Sequence, residues 1–367
     1  MNKPSDKVTN LQLAFIIIST MLGVSMLGLT HFTVRGAGNA APFASLVGIF
    51  IAFIGLMGYV LIGRRFTKDT LVGYNESILG KPIGRLCSFL IVIVFLALTG
   101  LETRQFAEAV QGSILPNTPM HISIIAMILL FATTSFQRVD TFASIHFFYV
   151  PLILIPIIIV VAPAFRDIEI YHMTPILGND PTWGGFMNGA LAVTQAIGNF
   201  VVIAMVIPFM KYPKKSWKGA VGGFWIAGFI VIFMTTMTVA VFGENEIKKM
   251  YWPLLNLGRM ITIPGEVLSR IDAVLLVSWV YGVFTTLLSY YFLVVRGVCG
   301  IFRFHHYRVV SLITAPIIYG IAIFPRDIYT LYDYIRMFSS YGVVPLLVYP
   351  FFLLCISIIR KKKGGSV

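Results

Sequence analysis

The stretch STMLGVSMLGLTHF (residues 19–32) lies inside the first long apolar run of the chain, yet it carries glycines and several polar side chains. A membrane helix satisfies its backbone groups along its whole length, so an interruption of this kind needs a reason. A second interruption occurs in TQAIGNFVVIAMVIPF (residues 194–209), where Gln195, Gly198 and Asn199 break another apolar run. These two paired interruptions decide the predicted fold.

Composition places the chain in a membrane. Hydrophobic residues make up 57% of the 367 positions and charged residues only 12%, whereas an average soluble domain has about 25% charged residues. A bilayer core about 30 Å thick needs roughly 20 apolar residues for each crossing helix. Ten such runs are predicted, numbered here as helices 1 to 10, at residues 11–33, 42–63, 85–107, 119–136, 143–163, 186–208, 218–241, 268–295, 308–324 and 338–359.

Basic residues set the predicted orientation. The formal net charge is +13, and most lysines and arginines fall at the ends of the chain and in alternate connections between helices. Short cytoplasmic loops are enriched in these residues, which predicts that both termini are cytoplasmic. A nucleic-acid-binding protein would cluster its basic residues on one soluble face, so no nucleic-acid partner is expected.

The ten helices divide evenly at the long connection 164–185. Residues 1–163 form a predicted first repeat of five helices, 164–185 an extracytoplasmic loop, and 186–367 a second repeat with a short basic cytoplasmic tail. Because five is odd, the second repeat starts from the opposite side of the membrane and is inverted. Inverted repeats of five helices, with interruptions in corresponding helices, are the plan of one large transporter class. The interruptions in helices 1 and 6 match this plan.

Four segments resemble a known family. They are TNLQLAFIIISTMLGVSML (residues 9–27), IPFMKYPKKSWKGA (207–220), WPLLNLGRMITIPGEVLSRIDAVLLVSW (252–279) and FPRDIYTLYDY (324–334). On these segments the chain resembles the B-subunit permease of bacterial spore-germination receptors, the GerAB-like family of the amino acid–polyamine–organocation transporter superfamily. The last segment resembles the outer turn between helices 9 and 10. The resemblance covers nearly the whole chain.

The resemblance implies an all-α, LeuT-like membrane fold and a place in the spore inner membrane. It also implies that the protein works with an A subunit and a lipoprotein C subunit, and that it senses a small germinant, commonly an amino acid. Two departures from the family pattern stand out. Leu29-Thr30-His31 replaces a common Leu-Pro-Arg, and helix 6 reads Gly198-Asn199-Phe200-Val201 where many relatives carry Gly-Phe-Glu. The ligand therefore does not carry over from the relatives.

The candidate ligand pocket lies at the two interruptions. An unwound turn frees N–H and C=O groups that suit the carboxylate and ammonium of a small zwitterion. The predicted lining residues are Gly23, Val24, Ser25 and Met26 of helix 1, Thr99 and Gly100 of helix 3, Gln195, Gly198, Asn199 and Phe200 of helix 6, and Ser278, Tyr281 and Gly282 of helix 8. Close packing of helices is the alternative role of the small residues among them.

Charged residues in two helices suggest structural or gating ion pairs. Glu102, Arg104 and Glu108 lie toward the end of helix 3, and Arg104 and Glu108 have the i,i+4 spacing of a helical ion pair. Arg270 and Asp272 open helix 8 and are expected to form a clasp. Ionisable residues within membrane helices are functional candidates by default.

Enzyme chemistry has no support in the sequence. It lacks a nucleophile elbow, a phosphate-binding loop and a zinc-protease motif, so no catalytic residue, metal or cofactor is predicted. A germinant-sensing subunit is the favoured function. A working amino-acid permease, coupled to protons or cations, and a scaffold with a vestigial pocket remain alternatives.

Overall fold

The computed structural model describes residues 7–113, 115–176, 182–260 and 271–364. Within these residues the ten predicted membrane helices are present. Seven of the helical segments are long and apolar enough to cross a membrane, and three shorter apolar helices accompany them. Helices 2 to 5 span Ala41–Arg65, Lys81–Ser113, Met120–Ser135 and Val139–Ala164, and helices 7 to 10 span Ser216–Ile247, Ile271–Phe302, Tyr307–Ile323 and Ile328–Ile359.

Helices 1 and 6 are broken, as predicted. Helix 1 consists of Asn10–Met21 (helix 1a) and Leu29–Ala37 (helix 1b), joined by a 3₁₀ turn at Val24–Leu27. The first part of helix 6, Trp183–Ala196 (helix 6a), is followed by a 3₁₀ turn at Gly198–Val202. Short helical turns then lead helix 6 to Phe209.

A capping box starts helix 1. The Thr9 backbone N–H donates to Gln12 Oε1 at 2.9 Å, and the Gln12 backbone N–H donates to Thr9 Oγ1 at 3.2 Å. The two side chains satisfy backbone N–H groups that the first turn of a helix leaves without partners. Thr9 and Gln12 therefore fix where helix 1 begins.

Several helices extend beyond the predicted apolar runs. Helix 3 was predicted at 85–107 but continues to Ser113, so its 33 residues are about 50 Å long. Helix 10 was predicted from residue 338 but begins at Ile328, where Asp327 accepts a hydrogen bond from the Thr330 backbone N–H at 2.7 Å. Most of the segment 324–334 is therefore helical. Apolar runs mark the bilayer core, whereas helices continue past it.

Glycines bring helices 1a and 7 into backbone contact. A Cβ atom added at Gly219 would lie 2.2 Å from the Asn10 carbonyl oxygen, and one at Gly223 would lie 2.5 Å from the Ala14 carbonyl oxygen. Helix 1a also packs against helix 5, whereas helix 1b packs against helix 6a. Small residues at such crossings give close van der Waals packing, which drives helix association in lipid.

A short strap joins the beginning of helix 1 to the end of helix 6. Val8 pairs with Met210 in an isolated parallel bridge, in which the Val8 N–H donates to the Phe209 carbonyl and the Lys211 N–H donates to the Val8 carbonyl. At the other end of the chain, the Gly364 N–H donates to the Arg65 carbonyl at 3.2 Å. Val8 and Gly364, near the two ends of the described chain, therefore lie on one face, called here the terminal face.

Candidate functional site

The break in helix 1 faces helix 8. A Cβ atom added at Gly23 would lie 1.7 Å from Thr286 Oγ1 and 2.8 Å from the Gly282 carbonyl oxygen, and one at Gly282 would lie 2.9 Å from the Leu22 carbonyl oxygen. Thr286 Oγ1 also donates to the Thr20 carbonyl at 3.0 Å. The glycines at this crossing thus allow helix 8 hydroxyls to reach carbonyl groups at the end of helix 1a.

The break in helix 6 is held by one side chain. Asn199, which is buried, donates from Nδ2 to the Thr20 carbonyl at 3.1 Å and to the Ala196 carbonyl at 3.2 Å. Its Oδ1 accepts a hydrogen bond from the Tyr290 hydroxyl of helix 8. Asn199 therefore connects the broken turn of helix 6 with both helix 1a and helix 8.

A cavity of about 550 Å³ opens beside the helix 6 break. It is bounded by helices 1b, 3, 6, 8 and 10, and its buried end includes Glu102, Gly198, Asn199 and Tyr290. Its exposed end includes Arg35, Asn188 and Arg336. Helix 1b ends and helix 6a begins there, so the cavity opens toward the face opposite the terminal face.

The cavity brings together only some of the predicted pocket residues. Gln195, Gly198 and Asn199 line it, and Glu102, which was predicted as an ion-pair residue, lines it too. The predicted residues that are not among its lining are Gly23, Val24, Ser25, Met26, Thr99, Gly100, Phe200, Ser278, Tyr281 and Gly282. Helix 1 contributes its second half, through Leu29 and Phe32, rather than the broken turn.

The predicted residues of helices 3 and 8 outside the cavity contact neighbouring helices. A Cβ atom at Gly100 would lie 2.6 Å from Ile321 of helix 9, and Thr99 donates to the Phe95 carbonyl of its own helix. Ser278 donates to the Ile153 carbonyl of helix 5 at 2.8 Å. The Tyr281 ring packs against Tyr149, also of helix 5, with centroids 5.3 Å apart.

The residues of the helix 1 and helix 6 turns that lie outside the cavity are packed into the core. Val24 and Met26 are buried, and the side chain of Ser25 lies outside the described part of the structure. Phe200 packs edge to face on Phe224 of helix 7, with centroids 5.9 Å apart. These contacts fix the two turns within the helix bundle.

The predicted charged residues take separate positions. Arg104 Nε lies 2.9 Å from Glu108 Oε1, in the predicted i,i+4 geometry. Glu102 lies two residues before Arg104, on another face of helix 3, and points into the cavity. Arg270 lies outside the described residues, and so does the side chain of Asp272.

A second polar cluster, not predicted from the sequence, surrounds His146 of helix 5. Its imidazole is fully buried, with Nδ1 2.6 Å from Ser19 Oγ and Nε2 3.3 Å from Ser289 Oγ. Ser289 Oγ is in turn 2.9 Å from Thr20 Oγ1. The cluster joins helices 1a, 5 and 8 just before the helix 1 break. Within the described residues, no group of three or more His, Cys, Asp or Glu side chains could hold a metal.

Replacement of His146 by leucine is expected to destabilise the protein. The change removes two buried hydrogen bonds between helices, and a lost buried partner costs about 1–3 kcal/mol. The melting temperature of the purified protein measures the effect. His121→Leu is the matched control, because His121 is exposed and, among the residues that the structure describes, its side chain hydrogen-bonds with Tyr319 alone. Equal melting temperatures for the two variants would show that the cluster contributes no stability.

The chain is similar to known proteins over most of its length. A family model described as "Spore germination protein" matches residues 7–330. The chain belongs to this family. It is 27% identical to spore germination protein YndE of Bacillus subtilis (strain 168), covering 99% of both chains, and 27% identical to spore germination protein A2 of the same organism, covering 97% of both. The family resemblance predicted from the sequence is therefore confirmed.

The fold is that of transporters in the LeuT-like class, as predicted. Mhp1, a nucleobase–cation symporter solved in a closed conformation with bromovinylhydantoin bound, superposes with a TM-score of 0.66 at 16% identity, covering 94% of this chain and 78% of that one. A Na⁺-coupled sialic acid symporter superposes with a TM-score of 0.66 at 9% identity, covering 93% of this chain and 79% of that one. At these identities the likeness shows the fold alone.

Proposed function

We propose that this spore germination protein is the ligand-sensing membrane subunit of a germinant receptor and has no enzymatic role. In this proposal it binds an amino acid or a similar small nutrient and triggers germination with A and C subunits. It would act in the spore inner membrane with both termini in the cytoplasm. The observation that carries the proposal is the cavity of about 550 Å³ at the helix 6 break, because ligand pockets are concave, of this size, and have a few convergent polar groups.

The proposed mechanism of sensing is a shift in the populations of two conformations of the protein. A ligand changes the balance between two conformations by its differential affinity for them. A ligand in this cavity would contact the Gly198–Val202 turn directly, and through Asn199 it would act on the end of helix 1a and on Tyr290. Binding is therefore expected to favour one arrangement of helices 1, 6 and 8, and the partner subunits would respond to that arrangement.

Gly198→Leu tests the proposal in spores. A Cβ atom at Gly198 would lie 2.7 Å from Leu346 Cδ2 of helix 10 at the cavity wall, so leucine must fill part of the cavity or displace Leu346. Overpacking costs about 1–3 kcal/mol, and we expect the half-maximal germinant concentration to rise at least about tenfold, equivalent to 1.4 kcal/mol. Germination is scored across a panel of amino acids, sugars and nucleosides, with subunit levels checked by immunoblot.

Gly222→Leu of helix 7 is the matched control, because a Cβ atom there has no heavy atom within 4 Å. It should leave both response and protein level unchanged. If Gly198→Leu spores respond to their germinant as wild-type spores do, at normal protein level, the cavity is not the sensing site.

A working permease is the second candidate, favoured by the transporter fold of the solved neighbours. Both functions would use the same cavity, so variants of the cavity do not separate them. Reconstituted vesicles do separate them: uptake of a radiolabelled germinant above the rate of empty vesicles supports transport, and binding without uptake supports sensing.

A further inference from the structure

Glu102 places a carboxyl group at the buried end of the cavity. It is 6% exposed, and its Oε2 is buried without a hydrogen-bond partner among the described residues. Its Oε1 lies 3.3 Å from the Tyr290 hydroxyl oxygen. The hydrogen bonds of this group depend on where the single proton of that hydroxyl goes.

The Tyr290 hydroxyl donates its single hydrogen bond to Asn199. The two hydrogen bonds that Asn199 Nδ2 donates, to the Thr20 and Ala196 carbonyls, fix the amide with Oδ1 toward Tyr290. An amide oxygen accepts and cannot donate, so the Tyr290 hydroxyl must donate to it. Neither oxygen of an ionised Glu102 then accepts a hydrogen bond from the described residues.

The protein also leaves the charge of Glu102 without a close counter-ion. Arg104, the nearest cation along helix 3, faces another direction and pairs with Glu108 at 2.9 Å. The arginines that line the cavity, Arg35 and Arg336, belong to its exposed end. A buried carboxylate without a counter-ion or hydrogen-bond donors is strongly disfavoured, and a cationic ligand that carries hydrogen-bond donors would supply both.

We infer that the ligand carries a protonated primary amine, which binds Glu102 at the buried end of the cavity. An ammonium group supplies a positive charge and three donors, whereas the hydroxyl groups of a sugar or nucleoside supply donors without the charge. Helix 3 thus provides a carboxylate near the helix 6 turn, in the same cavity as Gly198 and Asn199. This inference rests on the proposed function, since it assumes that the cavity is the ligand site.

The charges of the cavity also orient the ligand. Arg35 and Arg336 form no ion pair within the described part of the chain, and they make the exposed end positive while Glu102 makes the buried end negative. An ammonium group is repelled from the first end and attracted to the second. A ligand that also carries an anionic group would enter with its amine first.

The test compares probes that carry an amine with probes that do not. Purified full-length protein in lipid nanodiscs is titrated with L-leucine, with 4-methylpentanoate, which lacks the amine, with 3-methylbutylamine, which lacks the carboxylate, and with D-glucose and inosine. Thermal unfolding reports binding. We expect at least one of the two amines to stabilise the protein, and neither 4-methylpentanoate, glucose nor inosine to do so.

Glu102→Gln supplies the second arm, with Glu108→Gln as the matched control on the same helix. Loss of one partner of a buried charge pair is expected to weaken amine binding about thirtyfold or more, whereas Glu108→Gln should leave it within about twofold, because Glu108 is not among the residues that line the cavity. Stabilisation by glucose or inosine alone, no stabilisation by either amine, or unchanged amine binding in a folded Glu102→Gln protein would overturn the inference.

The probe comparison uses the wild-type protein, so it decides the question even if Glu102→Gln fails to fold. Failure of the inference is also distinct from failure of the proposed function. If Gly198→Leu shifts the germination response while the amine is irrelevant to binding, the cavity remains the sensing site and only the ligand class is wrong.

Discussion

Gly223→Leu is expected to remove most of the protein from the membrane. A Cβ atom at this position would lie 2.5 Å from the Ala14 carbonyl oxygen and 2.7 Å from the Ala14 Cα. These are backbone atoms of helix 1a, so they cannot rotate away as a flexible side chain can, and helices 1 and 7 must separate. Overpacking costs about 1–3 kcal/mol where side chains can adjust, and we expect more here. Immunoblots of membrane fractions measure the loss.

The adjacent glycine provides a sharp control. A Cβ atom at Gly222 meets no heavy atom within 4 Å, so Gly222→Leu changes the same helix by the same amount and faces open space. It should accumulate as the wild-type protein does. Equal levels of the two variants would mean that helices 1 and 7 do not touch in the way the structure shows.

Asn199→Leu is expected to raise the half-maximal germinant concentration about tenfold to a hundredfold at normal protein levels. Leucine has a similar size but cannot hydrogen-bond, so the helix 6 turn loses its side-chain links to Thr20 and Tyr290. Loss of these two buried hydrogen bonds costs about 1–3 kcal/mol, which is roughly a tenfold to hundredfold rise in half-maximal germinant concentration. Dose–response curves of spores, normalised to subunit level, measure the change.

A double variant tests whether the effect runs through Tyr290. Tyr290→Phe and Asn199→Leu each remove the hydrogen bond between these two side chains, so the double variant should respond better than the sum of the two single effects predicts. Additive effects would show that the two residues act independently. A wild-type response of Asn199→Leu spores would exclude a role of this residue in coupling helix 6 to its neighbours.

The sequence predicts the helices well because the bilayer imposes a simple rule. A crossing helix must be apolar over about 20 residues, and interruptions are tolerated only against protein or a cavity. The ten helices and the breaks in helices 1 and 6 follow from this rule. The cavity-lining part of helix 6 follows as well, since Gln195, Gly198 and Asn199 are conspicuous in an apolar run.

The rotation of the helices could not be predicted. Lipid-facing and protein-facing positions are both apolar in a membrane protein, so nothing in the sequence shows which side of helix 8 meets the cavity. Ser278, Tyr281 and Gly282 were predicted there, whereas Tyr290, more than two turns further along, lines it. Glu102 was predicted to lie toward the end of helix 3, but the helix continues to Ser113 and Glu102 lines the cavity. Helix 10 also lines the cavity, through Ser339, Ser340 and Gly342 among others, which were not predicted as lining residues.

The strap formed by Val8 and Met210 connects the two broken helices through their backbones. Since it ties the chain before helix 1a to the chain after helix 6, displacement of one of these ends pulls the other with it. Ligand binding within the membrane would therefore move the start of helix 1a and the end of helix 6 together on the terminal face. A neighbouring protein that contacts only this strap would respond to the conformation of both helices.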